Sequence, residues 1–153
     1  MTEKYSHDKV DTMKRQVVLL LALAVFAVGC GSKQTPRSVT FDFIGAVLDN
    51  DSLAVETYLD LDAMVAKRIT EVPELDSTVT PENLRQTLIK NLTGSGGMRA
   101  FWRNQRIIVN QEKIKGDSAE VEMSFIDQTT GETKYSMVYL YRKDGRWRVY
   151  FYL

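Results

Sequence analysis

The chain has 153 residues, with 20 basic and 20 acidic side chains, one histidine and one cysteine. That length suits a single domain with its own core. A lone cysteine excludes a disulfide within the chain, and a lone histidine, His7, excludes His-rich metal sites.

In chain order, the first element is a leader. Lys14 and Arg15 precede an uncharged apolar run, Val17 to Gly29, which closes on the small residues Ala27-Val28-Gly29 and then Cys30. A positive start, an apolar stretch and a small-residue end are the marks of an export signal. A transmembrane helix is the alternative, but a span needs about 20 apolar residues, and polar Ser32, Lys33 and Gln34 follow at once. A plain secretory signal would leave an exposed thiol in an oxidising compartment. Ala-Val-Gly-Cys resembles the lipobox of bacterial lipoproteins, with Ala27 where Leu is usual. The resemblance implies that Cys30 is acylated and becomes the mature N-terminus. The bilayer would then be a partner through that lipid. Residues 1–29 are the expected signal peptide, with Met13 a second candidate start, and residues 30–35 a short tether. The expected domain is 36–153. Once His7 is removed with the leader, Ser-His-Asp and Cys-His catalytic sets are excluded too.

Thr35-Pro36 reads as a helix cap followed by Pro at the first helical position. Val39, Phe43, Val47 and Leu48 follow at helical spacing. Asn50-Asp51-Ser52 ends this helix and opens a shorter one through Tyr58 and Leu59. A third is expected over Leu61 to Ile69, capped by Asp60 or Asp62. Thr70 to Val79 is expected as a loop. Thr80-Pro81-Glu82 repeats the Thr-Pro start, and Leu84, Leu88 and Leu92 give the fourth helix its stripe. A short helical turn is expected around Phe101 and Trp102.

From Arg106 the period changes to two. Ile107 and Val109 begin one strand, and Val121, Met123 and Phe125 alternate with polar neighbours in the next. Tyr135 to Tyr141 makes a third strand, and Asp144-Gly145 a hairpin turn into the last. Trp147, Val149, Phe151 and Leu153 share one face of that strand, with Arg148, Tyr150 and Tyr152 on the other. The expected fold class is therefore α+β, with N-terminal helices packed on a four-stranded antiparallel meander. Phe43 and Trp147 are expected to lie in one core. Val138, Leu140, Arg148, Tyr150 and Tyr152 are expected to form a partly apolar outer face, and hence an interface for a second copy or another envelope protein.

Charge is uneven along the chain. Between Phe41 and Glu82 there are ten acids and two bases, and between Arg85 and Lys115 seven bases and one acid. Either a basic face lies on anionic lipid or polymer, or the two halves attract each other; the second reading is preferred. Nucleic acid is not an expected partner. There is no Walker loop or dinucleotide fingerprint. Gly94-Ser95-Gly96-Gly97 lacks the Lys that would hold a phosphate and reads as a loop.

Phe43 to Asp51, Tyr58-Leu59 and the closing Gly145-Arg146-Trp147-Arg148-Val149 resemble small bacterial lipoproteins of the NTF2-like, cystatin-like class, many with a lumazine-binding-like domain of unknown function. The resemblance implies a curved sheet wrapped on helices around a cone, and no single activity. Some enzymes of that fold move protons with Asp and Tyr, as isomerases or dehydratases do. Here capping accounts for Asp49, Asp51, Asp60 and Asp62, a turn for Asp144, and solvent-facing strand positions for Glu120 and Glu122. The expected function is a non-catalytic ligand- or protein-binding domain on an envelope lipoprotein. A self-associating structural lipoprotein is the alternative. No cofactor or metal is expected. The expected place is the outer membrane, facing the periplasm, if the cell is Gram-negative.

Overall fold

The computed structural model describes residues 34–71 and 79–152. The leader, Cys30 and most of the tether lie outside the described residues, as do most of the expected loop after the third helix and Leu153.

Five helices precede four strands: α1 (Pro36–Asp49), α2 (Ser52–Tyr58), α3 (Leu61–Glu71), α4 (Pro81–Leu92), α5 (Gly97–Arg103), β1 (Gln105–Lys115), β2 (Ser118–Asp127), β3 (Thr133–Lys143) and β4 (Arg146–Tyr152). The strands pair antiparallel in the order β1-β2-β3-β4. The α+β meander expected from the change of period is the observed architecture.

Both Thr-Pro starts form as the sequence predicts. Thr35 Oγ1 accepts the Ser38 N–H at 3.1 Å, and Ser38 Oγ accepts the Thr35 N–H at 3.0 Å, a reciprocal capping box. Thr80 Oγ1 accepts the Asn83 N–H at 3.2 Å. Helix α1 stops because Asn50 takes a left-handed conformation, φ 62°, which Asn tolerates better than most residues. Arg99 of α5 then donates to two carbonyls at the end of α1, Val47 at 3.0 Å and Leu48 at 3.1 Å. These are acceptors that a helix end leaves unmet.

The core lies between the helices and one face of the sheet. Phe43, Val47, Val121, Met123, Val138, Leu140 and Val149 are fully buried, with Trp102 and Trp147 nearly so. Phe43 and Trp147 share this core as expected, and Phe43 meets Trp102 edge-on with ring centroids 5.7 Å apart.

The expected outer face is corrected. Val138 and Leu140 point to the helices and have no exposure, while Tyr135, Met137, Tyr139 and Tyr141 take the other side. From Met137 to Tyr141 strand β3 is apolar or aromatic on both sides, so its period could not choose a face. Packing chose the branched aliphatic side chains for the core and left the tyrosines on the other side. Tyr152 is a second correction. Tyr139 pairs with Phe151 but Leu140 pairs with Val149, so Tyr150 is an extra, bulged residue. The bulge inverts the alternation beyond it, and the Tyr152 ring joins Phe43 and Trp102 at 6.2 Å from each. Only Arg148 and Tyr150 of the five expected interface residues lie on the outer side.

Candidate functional site

Strand β4 is an edge strand, and what lies along that edge builds two clefts. The segment joining α2 to α3 runs beside it: Leu59 bridges Val149 in parallel, and the Asp60 N–H donates to the Val149 carbonyl at 2.8 Å. Helix α3 then starts over the end of the strand.

The first cleft is polar, with a volume of about 630 Å³. It lies between the α2–α3 junction and the β3–β4 turn, and its walls include Glu56, Asp60, Asp62, Arg85, Lys143, Arg146 and Arg148. Of the two caps the sequence offers, Asp60 caps α3, with Oδ1 accepting the Ala63 N–H at 3.0 Å. Its side chain is only 5% exposed. Its Oδ2 accepts from the Tyr141 hydroxyl and from Lys143 Nζ, the latter at 2.6 Å. Burial pushes the Asp60 pKa up, but the bonds from Lys143, Tyr141 and the Ala63 N–H outweigh it, and the net shift is downward. Burial, then the bond to Asp60, pushes the Tyr141 hydroxyl up. The bond to Asp60 raises the Lys143 ammonium. This is an ionised carboxylate with its lone pairs engaged. It holds the β3–β4 hairpin to the start of α3, and it is a poor proton acceptor. The cluster is not legible in the sequence because its members are some eighty residues apart. The readable part was Tyr141 and Lys143 on one strand face two positions apart.

The second cleft is mostly apolar, about 250 Å³, and opens where α3, α4 and α5 meet the end of β4. Met64, Leu84, Leu88, Met98, Phe151 and Tyr152 form its walls, with Arg68, Thr87 and Asn91 as polar neighbours. Asn91 is committed, since its Oδ1 accepts the Met98 N–H at 3.0 Å. The Tyr152 hydroxyl makes no hydrogen bond among the described residues. Burial pushes its pKa up to about 12, partly opposed by the Arg68 charge. A tyrosine that lines an apolar cleft with an unengaged hydroxyl is a polar handle for whatever enters.

The charge imbalance of the sequence is partly internal. Arg85 pairs with Asp62 and reaches Glu82 at 3.7 Å, and Arg99 is spent on α1. Among the described residues no helix is long and apolar enough to cross a membrane, and no group of three His, Cys, Asp or Glu side chains is placed to hold a metal.

No protein-family model matches the chain, and no curated protein matches it. Among solved structures, a Campylobacter jejuni protein provisionally described as an NTF2-like transpeptidase is 19% identical, covering 76% of this chain and 97% of its own, with TM-score 0.48. A SEC-C motif containing protein from Rhodopseudomonas palustris is 18% identical, covering 81% of this chain and 94% of its own, with TM-score 0.32. No statement about activity follows from either likeness.

Proposed function

We propose that the chain is a membrane-tethered envelope lipoprotein whose NTF2-like domain binds a small apolar molecule without transforming it. The observation that carries the binding reading is the apolar cleft at the end of β4. Its walls are Met, Leu, Phe and Tyr side chains, and one of them presents a hydroxyl with no partner among the described residues. Concave, mainly apolar clefts with few polar groups are the usual form of small-molecule sites. The two methionines suit a site that accepts more than one shape.

The polar cleft supports a non-catalytic reading. A carboxyl that works as general acid or base near neutral pH needs a pKa raised toward it. The buried carboxyl here is shifted the other way and is fully engaged. The anchor rests on the leader sequence, where Ala27-Val28-Gly29-Cys30 closes an apolar run.

Binding is tested with the full chain in non-ionic detergent and the neutral fluorophore N-phenylnaphthylamine. Saturable enhancement above that of the detergent alone is expected, and Leu88→Trp, which fills the cleft, should abolish this excess while the fold persists. An excess over detergent that survives in L88W would place the probe elsewhere and overturn this site. For the anchor, Cys30→Ala should lose fatty-acid label and leave the membrane fraction; equal membrane retention without processing would make the leader a span.

A further inference from the structure

We infer that the polar cleft is a second site, for a small zwitterion: the free carboxylate of an amino acid or short peptide lies against Arg146 and Arg148, and its ammonium against Glu56.

The β3–β4 hairpin places like charges together. Lys143 and Arg146 are direct cross-strand partners, and Arg148 is two positions further along the same strand, hence on the same side. Like charges opposite one another destabilise a sheet. Asp60 answers Lys143 alone. Arg146 and Arg148 have no carboxylate partner among the described residues, although both line the cleft. Two guanidiniums without an acid are suited to a carboxylate, whose two oxygens match their fork of N–H donors.

The opposite wall is the counterpart. Asp62 is engaged by Arg85, but Glu56 of α2 has no cation among the described residues. Two internal pairs therefore cancel; Glu56 is left on one side, and Arg146 and Arg148 with the turn's Asp144 on the other, which stays net positive. The walls carry four acids, Glu56, Asp60, Asp62 and Asp144, against four bases. A polyanion would meet those carboxylates. A molecule that is neutral overall but carries both charges meets neither penalty. The volume of about 630 Å³ leaves room for a few residues.

The site is independent of the apolar cleft, so the two can fail separately. The test is isothermal titration calorimetry on the full chain in non-ionic detergent. The probes are alanylalanine, its N-acetyl form, its C-terminal amide, a mixture of the common amino acids, and inorganic phosphate. At least one free zwitterionic probe should bind saturably, and blocking either end of the dipeptide should weaken its binding by about tenfold or more, as expected for losing a charge-assisted hydrogen bond. The R146Q/R148Q variant should bind alanylalanine and its amide alike, and E56Q should no longer distinguish the acetylated form. If the double variant loses its fold, by circular dichroism, Arg148→Gln alone carries the same comparison. Absence of saturable heat with every zwitterionic probe overturns the inference. So does phosphate binding as tightly as the dipeptide, which would mark a general anion site. Unchanged dipeptide affinity in the arginine variants would also overturn it.

Discussion

The two sides of β4 are held in different ways. Toward the helices, Trp147, Val149 and Tyr152 lie in a continuous apolar core with Phe43 and Trp102. On the other side and along the edge, Asp60, Tyr141, Lys143, Arg146 and Arg148 form a polar wall. Burial of area holds the first, and it does not depend on the protonation of a carboxylate. Directed bonds to one carboxylate hold the second, and such bonds depend on protonation. The comparison teaches that this strand can be anchored by its inner side and offer its outer side for recognition.

The inner side can be broken most severely. Trp147→Ala should cost about 3–5 kcal/mol, measured by urea unfolding of the full chain in non-ionic detergent. A loss under about 1 kcal/mol would mean that the indole does not hold the strand. Next comes the junction. Asp60→Ala removes a helix cap and two side-chain bonds, and should cost about 2–3 kcal/mol, since Lys143 is half exposed and keeps water when its partner goes. A cost near that of a surface residue would show that the cluster is ornamental.

The third prediction separates the two sides by pH. The Asp60 pKa is lowered in the folded state, so its ionised form is the one that folding favours. That stability is present above the ordinary carboxyl value of about 4 and is lost as pH falls through the folded value. Asp60→Asn keeps a capping side chain but cannot ionise. The stability gap between the native protein and D60N should therefore narrow on acidification, while the gap for Trp147→Ala stays constant. A D60N gap independent of pH would contradict the assignment. At the alkaline end the Tyr152 hydroxyl is held up to about 12, so its contribution falls as pH rises from about 10 through that value. Absorbance titration should show late-ionising tyrosines, Tyr141 and Tyr152, and Tyr152→Phe should remove the Tyr152 contribution and leave that of Tyr141. The smallest effect is expected on the outer side, where Arg148→Gln should change stability by about 0.5 kcal/mol or less; a larger loss would give Arg148 a structural duty.

The helices were readable because their ends are local chemistry. Thr35-Pro36, Asp51 and Thr80-Pro81 carry their own caps within three residues. Strand β2 was readable because Val121, Met123 and Phe125 alternate with Glu120, Glu122 and Ser124. The faces of β3 and β4 were not. Both strands have large apolar or aromatic residues on each side, and a single bulged residue, Tyr150, reverses the pattern after it. Alternation fixes a face only where one side is polar and the register is unbroken. The capping role of Asp60 was legible, but its partners were not, because Tyr141 and Lys143 come from the far end of the chain. Neither cleft could be read from spacing, since each is made where the helices meet the end of one strand.

The central claim, a ligand site at the apolar end of β4, is tested most directly by methyl NMR of the full chain in non-ionic detergent with labelled methionine. Met64 and Met98 line the apolar cleft. Met123 is fully buried in the core, and Met137 lies on the opposite side of the sheet. Titration with N-phenylnaphthylamine should shift the Met64 and Met98 methyl signals saturably and leave those of Met123 and Met137 in place. Shifts at Met137 alone, or no saturable shift at Met64 and Met98, would contradict it.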